Sequence, residues 1–304
     1  GVLLGDNYKK YGARLKVDSK LNDKFSIGAN FSPSFTNRKR FSENIHNVAR
    51  HQPWLPIYHT AETLKFIDPT GAYKNFQVGD YARQDHFVMF DFNGDGVYDE
   101  KLTNIGNSNN ANPYARITER DRNDKKFQLY GSFYGQYNIM DDLSFKTTLA
   151  GSYDDTKRID YLGTQAKESP TDAYMQEISQ KENYVIFDNF FNYNKTLGNH
   201  DLGVTAGVSV ESRNYFFSSM KGTGFTNDVV QQITNATSIS EFDGFEWQKR
   251  GISYVSRVNY AYSSKYLASV SMRRDGSSIF GSDYKYGNFP AVSVGWNIAK
   301  EDFL

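Results

Sequence analysis

The sequence predicts an all-β chain with the strand pattern of an antiparallel transmembrane β-barrel, and three observations carry that expectation. Aromatic residues make up 16% of the 304 residues, with 22 Tyr and 23 Phe against 7 Pro, an enrichment that favours strands and interface girdles over helices. Period-two patterning recurs along the chain, so one face of each segment is apolar and the other polar. The connections between these segments alternate between short and long, as they do where strands cross a membrane with short turns on one side and long loops on the other.

In chain order, residues 8–21 and 25–35 form a first hairpin around Asn22 and Asp23. Residues 125–138 and 143–158 form a second through Met140, Asp141 and Asp142. Residues 183–195 and 201–217 meet across Leu197, Gly198 and Asn199, and residues 248–262 and 266–274 meet at Ser263 and Ser264. A last strand spans 285–298. Polar stretches at 36–124, 159–182, 218–247 and 275–284 are read as the long extracellular loops between hairpins, the first of them a loop region within a single barrel domain over 1–304.

The alternation is clearest in three segments. Leu143, Phe145, Thr147, Leu149, Gly151 and Tyr153 alternate with Ser144, Lys146, Thr148, Ala150 and Ser152. Leu202, Val204, Ala206, Val208 and Val210 alternate with Gly203, Thr205, Gly207, Ser209 and Glu211. Val292, Val294, Trp296 and Ile298 repeat the pattern. One face suits lipid and the other a wet lumen. Rings such as Tyr137, Tyr153, Tyr161, Tyr193, Tyr215, Phe216, Tyr260 and Tyr262 fall near predicted strand ends, where headgroup-level aromatics belong. A secreted β-sandwich, as a carbohydrate-binding or adhesin module, has the same composition but less reason to alternate its connection lengths.

Charge and cysteine content narrow the function classes. Lys plus Arg (35) equals Asp plus Glu (35), so no net field draws the chain to nucleic acid or anionic lipid. Cysteine is absent, which excludes disulfides, thiolate metal sites and cysteine nucleophiles. No apolar run reaches the roughly 18 residues of a spanning helix. The sequence opens at Gly1 without a leader, so any signal peptide is expected to be removed or to lie outside it. His46, His51, His59, His86 and His200 lack zinc-helix spacing, and neither a nucleophile elbow nor a phosphate-binding loop occurs. No enzyme site and no required cofactor are expected. A hydrolase built on β-structure would need two carboxylates across a cleft, and the sequence shows no such pair.

Two binding features stand out. Asp91, Asn93, Asp95 and Asp99 place oxygens at positions one, three, five and nine of a calcium loop, with Gly96 at the turn and the Val97 carbonyl at seven. Position twelve is Leu102 where a bidentate Glu is usual, with Asp99 or Glu100 as substitutes. The expectation is a structural calcium bracing the longest loop. Aromatic rings on the predicted loops, Trp54, Tyr58, Tyr73, Tyr81 and Trp247, with Phe76, Phe242 and Phe245, suit stacking on sugar faces or holding a peptide, and equally suit packing within the loops.

The stretch from Tyr266 through Arg273, Asp275, Gly276, Ser277, Ser278, Phe280 and Gly281, then Phe289, Pro290, Gly295 and Trp296, and on to Glu301 and Phe303, resembles the SusC/RagA family of TonB-dependent transporters. Arg50, Pro53, Pro56 and Tyr58 with Gly71 and Tyr73 resemble that family's Pro-rich loop, and His200 with Gly207 one of its hairpins. In the motif, Gly276 and Gly281 are expected to supply unusual backbone angles, Ser277 and Ser278 to bond nearby backbone, Pro290 to sit at a strand start, and Arg273 to pair with Asp275 across a strand end. These roles are structural. The resemblance implies an outer-membrane importer of a Gram-negative bacterium. It would be a multi-pass barrel in the lipid bilayer that takes oligosaccharides or peptides with a SusD-like surface lipoprotein and couples to TonB through an N-terminal plug. Such barrels have 22 strands, so about nine strands cannot close one and their two open edges need partners.

Overall fold

Twelve strands are seen in the computed structural model, which describes residues 5–41, 45–49, 52–102, 112–166, 173–281 and 284–301. Arg50, His51 and Phe303 lie outside the described residues. The strands are β1 (Asn7–Gly12), β2 (Leu15–Lys20), β3 (Phe25–Lys39), β4 (Met89–Phe90), β5 (Glu100–Lys101), β6 (Arg120–Met140), β7 (Leu143–Leu162), β8 (Tyr174–Leu197), β9 (His200–Thr223), β10 (Ser238–Tyr262), β11 (Tyr266–Ser277) and β12 (Tyr286–Trp296). Two short helices, α1 (Ile45–Ala49) and α2 (Pro113–Thr118), lie between β3 and β6. All strands but β4 and β5 join one 10-stranded sheet in which each pairs with the next, β1 and β2 sharing β3. Every pairing is antiparallel. The first predicted strand is split at Ala13 and Arg14 because Pro33 lies opposite: it accepts from the Ala13 N–H (3.1 Å) but has no N–H to return.

The four tight turns fall where the sequence places them. Asn22 Oδ1 accepts from the backbone N–H of Lys24 and Phe25, both at 2.9 Å, and closes β2 onto β3. Ser263 and Ser264 both have positive φ (49° and 52°), and Lys265 N–H donates to Tyr262 O (2.8 Å), the two-residue turn whose twist matches the flanking strands. At the other ends the strands run further than patterning predicts. The strand expected at 201–217 runs to Thr223, and the one expected from 248 begins at Ser238. Much of the predicted loop 218–247 is therefore paired strand, and Phe242, Phe245 and Trp247 sit on β10. β12 closes at Trp296, and Ile298 begins a 3₁₀ turn instead of extending the lipid-side row.

Cross-strand register assigns the faces. Phe133, Leu149, Phe187, Val210 and Ile252 form one row across five strands, and Phe25, Tyr137, Phe145, Phe191 and Ala206 another on the same side. On β3 and on β6 to β10 the apolar side continues for about 9–11 residues, the length a tilted strand needs to cross a bilayer. Among the described residues nothing covers this face: Val292 and Val294 are 73% and 84% exposed. A soluble sandwich would have to pack a second sheet there, and among the described residues the remaining sheet is the two-residue pair β4–β5. The opposite face carries Asn30, Ser32, Gln128, Ser152, Asp154, Asp188, Ser209 and Arg257, as a wet lumen requires. No described helix is long and apolar enough to cross a membrane. The described sheet is open, with β12 and the β1–β2 side each pairing on one edge.

Candidate functional site

The described residues between β3 and β6 form a small cap at the long-loop end of the sheet. Its apolar centre is Leu55, Ala82 and Phe87, with Phe66 against them. Asn112 is 2% exposed and fully used: its amide donates to Ile57 O and Ala82 O (2.8 Å each) and its oxygen accepts from Tyr114 N and Ala115 N, capping α2 ahead of Pro113. An Asn directly before Pro was the available sequence signal for this joint.

The cap encloses two imidazoles that spacing alone leaves unassigned. His59 and His86 are each 1% exposed, stacked at 5.2 Å, and His59 Nε2 lies 2.9 Å from His86 Nδ1. Arg83 N–H donates to that same His86 Nδ1 (3.3 Å), which makes it the acceptor, so His59 donates from Nε2, and its Nδ1 lies 3.2 Å from the Thr63 hydroxyl. Tyr73, Phe76 and Phe87 pack around the pair. Asp85 is held by Arg83 Nε and Nη2 (2.9 and 2.6 Å) and by Tyr73 Oη (2.8 Å), and these partners keep its carboxyl below the usual range against the opposing effect of burial. Burial pushes His86 down to about 3 and also lowers His59, outweighing Asp85 and Asp80. Both rings are neutral in the folded cap.

The sign of the pH dependence follows. A folded-state pKa below the ordinary 6.5 means the opened cap takes up protons that the closed one refuses, so closure is fully stable above pH 6.5 and weakens as pH falls. For His86 the loss amounts to about 2 kcal/mol at pH 5. Hydrogen exchange of the 52–102 amides is expected to be faster, relative to β8 and β9, at pH 5 than at pH 7.5; equal relative protection would refute it.

The predicted ring cluster is only partly assembled. Tyr58 and Tyr81 stack at 5.0 Å across a β-bridge, with Tyr114 edge-on to Tyr58 at 6.2 Å, a partner the sequence reading missed. Tyr81 Oη donates to Glu119 (2.8 Å) and Tyr73 belongs to the histidine core. Trp54 is 61% exposed and meets Phe87 edge-on at 6.4 Å. Trp247 stands apart from these rings, on β10, stacked on Tyr215 at 5.5 Å and 21°. Phe245 tilts against Tyr215 and Phe217 (5.9 and 5.2 Å), so Phe217, Phe245, Tyr215 and Trp247 form a ladder on the lumen side above the apolar belt.

In the loop from Asp91 to Asp99, Asp91 accepts from the backbone N–H of Gly94 (2.7 Å), Asp95 (3.2 Å) and Gly96 (2.9 Å). Asp95 accepts from Val97 N (2.8 Å) and Asn93 Nδ2 (3.0 Å), and Gly94 and Gly96 have φ of 76° and 88°. The turn has the backbone shape a cation loop needs, yet no three acidic or imidazole side chains converge as a ligand group among the described residues. The fit to calcium is partial.

The outer lumen wall also holds a charge network. Arg120 binds Asp160 through Nε (2.8 Å) and Nη2 (2.7 Å), and Nη2 reaches Tyr174 Oη (2.7 Å). Arg122 Nε approaches the same carboxylate at 3.3 Å, and Arg40 Nε approaches Asp124 at 3.0 Å. Neither of those buried Nε atoms makes an aligned hydrogen bond.

No family model matches the sequence. TonB-dependent receptor P39 of Formosa agariphila is 26% identical over 309 residues, covering 100% of this chain and 26% of the relative. TonB-dependent receptor P3 of the same organism is 31% identical over 228 residues, 70% of this chain and 21% of the relative. TonB-dependent receptor SusC of Bacteroides thetaiotaomicron is 23% identical over 315 residues, 100% of this chain and 29% of the relative. The chain belongs to the SusC-like TonB-dependent receptors. The fold agrees: the solved RagAB peptide transporter superposes with a TM-score of 0.69 at 20% identity, over 98% of this chain and 31% of that one. The chain thus spans about a quarter of the length of the relatives it matches.

Within this SusC-like sheet the residues of the family motif are held in ways that differ from what the sequence suggests. Arg273 and Asp275 lie on one strand, two residues apart on the lumen side, joined at 2.7 and 2.8 Å; they do not bridge a strand end. Neither Gly276 nor Gly281 has positive φ. Gly276 is required for space, since a Cβ there would meet the Tyr286 ring at 2.6 Å, whereas nothing lies within 4 Å at Gly281. Ser278 does bond nearby backbone: its Oγ accepts from Arg250 N (2.9 Å) and its N–H donates to Arg250 O (2.9 Å). Ser277 N–H meets Lys285 O (3.1 Å) and its Oγ accepts from Ile279 N at 3.5 Å. Phe280 N–H closes the loop on Ser277 O (3.3 Å). Pro290 lies within β12, opposite Met272, and not at its start. Phe289 covers Gly287, Gly295 sits against Leu267, and Trp296 Nε1 donates to Glu301 (2.9 Å).

Proposed function

We propose that this chain supplies barrel wall and extracellular cap to an importer that carries oligosaccharides across the outer membrane of a Gram-negative bacterium without transforming them. In this reading, 1–304 is one stretch of receptor barrel and the region between β3 and β6 its longest outer loop. A SusD-like lipoprotein closes over the outer rim, and TonB acts through a plug domain. The observation that carries the proposal is the two-faced sheet: an apolar belt of bilayer length on one side, and on the other a polar wall with an aromatic ladder above the belt. Oligosaccharides are favoured over peptides because stacked, exposed rings suit sugar faces. The RagAB likeness, whose name refers to peptides, makes an oligopeptide the rival cargo.

The test is uptake by intact cells. Labelled oligosaccharides should enter a strain carrying the full-length receptor, and a receptor deletion or a TonB deletion should abolish entry. Uptake of labelled peptides in place of sugars would transfer the proposal to peptide cargo. For the Asp91 loop, a structural calcium is proposed on the strength of its oxygen spacing and its two positive-φ glycines. Titration of the full-length receptor with millimolar calcium is expected to give a binding heat that Asp91→Ala removes, at the weak affinity of extracellular modules, about 10⁻⁴ to 10⁻³ M. Absence of heat in the parent would refute it.

A further inference from the structure

The outer part of the lumen wall on β3, β6 and β7 carries more cation than its acids neutralise. Three acids on this face are already engaged: Asp154 with Lys126 (3.3 Å), Asp124 with Arg40 (3.0 Å) and Asp160 with Arg120 (2.7 Å). Arg122 has only a share of Asp160, whose two oxygens are taken by Arg120. Arg158 is exposed and makes no ion pair among the described residues. Register sets Arg158 opposite Asp124 and Arg122 opposite Asp160, so the two arginines are diagonal neighbours on the lumen face. Phe217 of the aromatic ladder is two strands away on the same face, roughly 10 Å at ordinary strand spacing.

We propose that this wall selects an anionic oligosaccharide, holding its carboxylate or sulfate groups with Arg122 and Arg158 and resting its sugar faces on the Tyr215–Trp247 ladder. This rests on the oligosaccharide reading above and adds the charge of the substrate. A guanidinium fork matches carboxylate and sulfate oxygens and keeps its charge at any physiological pH. A peptide of equal charge fits less well. The main-chain groups of the wall are committed to neighbouring strands on both sides, so a peptide backbone finds no free ladder to join.

The experiment is calorimetry on the full-length receptor in detergent with four probes of equal length: tetragalacturonate, a sulfated galactose tetrasaccharide, maltotetraose and tetraglutamate. At least one acidic sugar is expected to bind more tightly than maltotetraose, and its affinity should fall with added salt. Arg158→Gln, at an exposed position, should weaken that sugar about tenfold and leave maltotetraose unchanged. Trp247→Ala should weaken both sugars. Which acidic sugar responds tells carboxylate from sulfate. Maltotetraose binding as tightly as the acidic sugars, or indifference of the acidic sugar to Arg158→Gln, overturns the anion selection and leaves oligosaccharide import standing. Binding of tetraglutamate with none of the sugars overturns both.

Discussion

Arginine at Val208 is expected to destabilise the assembled barrel by about 2–4 kcal/mol, while arginine at the adjacent Ser209 leaves it nearly unchanged. The two positions differ by one residue and therefore by one face. Val208 pairs with Asn189 and Tyr254 in the apolar belt, close to its middle, where a guanidinium must shed water or distort the bilayer. Ser209 pairs with Asp188 and Ser253 on the wet side, where the same group meets a carboxylate. The measurement is urea unfolding of the full-length receptor in bilayers, with heat-shifted gel migration as the folding control. Equal losses at both positions would reject the face assignment, and a larger loss at Ser209 would invert it.

The same alternation explains what the sequence showed and what it concealed. Inside the belt each residue chooses between lipid and water, so Leu202 to Val210 reads as a strand without any structure. Above the belt both faces are wet and that choice disappears. Ser212, Asn214 and Ser218 on one face are as polar as Arg213, Ser219 and Lys221 on the other, yet the backbone ladder continues to Thr223 because nothing interrupts its N–H and C=O pairing. Polar strand therefore has the pattern of loop, and Phe245 and Trp247, which fall in that polar stretch, stand on a wall. The tight turns were legible because they depend on local chemistry, Asn22 bonding its own backbone and a pair of serines twisting a hairpin. The His59–His86 pair was not, since 27 residues separate two rings whose burial is created by the fold alone. The need for glycine at 276 is room for the Tyr286 ring and not an unusual backbone angle, a cross-strand relation that no local pattern contains.

Replacing Asp160 by Asn should cost about 3–5 kcal/mol, the penalty for removing one partner of a buried ion pair, and should also sharpen anion binding. Side-chain exposure is 16% for Asp160 and 12% for Arg120, so water cannot easily take over the lost charge. The amide keeps one acceptor oxygen where two were used, and Arg120 and Arg122, which now share one carboxylate, are left to repel each other with Arg40 nearby. The damage should be local, appearing as faster hydrogen exchange in the outer parts of β6 and β7 while the belt portions of β8 and β9 stay protected. Adding Arg120→Met to Asp160→Asn removes the stranded cation and should recover much of the loss, because an unpaired buried charge is worse than an apolar side chain of similar length. A loss below about 1 kcal/mol for Asp160→Asn would instead class the pair with solvent-exposed bridges of small worth. If the single variant loosens the rim and yet holds an acidic sugar more tightly than the parent, the wall's native acids are acting as competitors for the cations that the substrate would use.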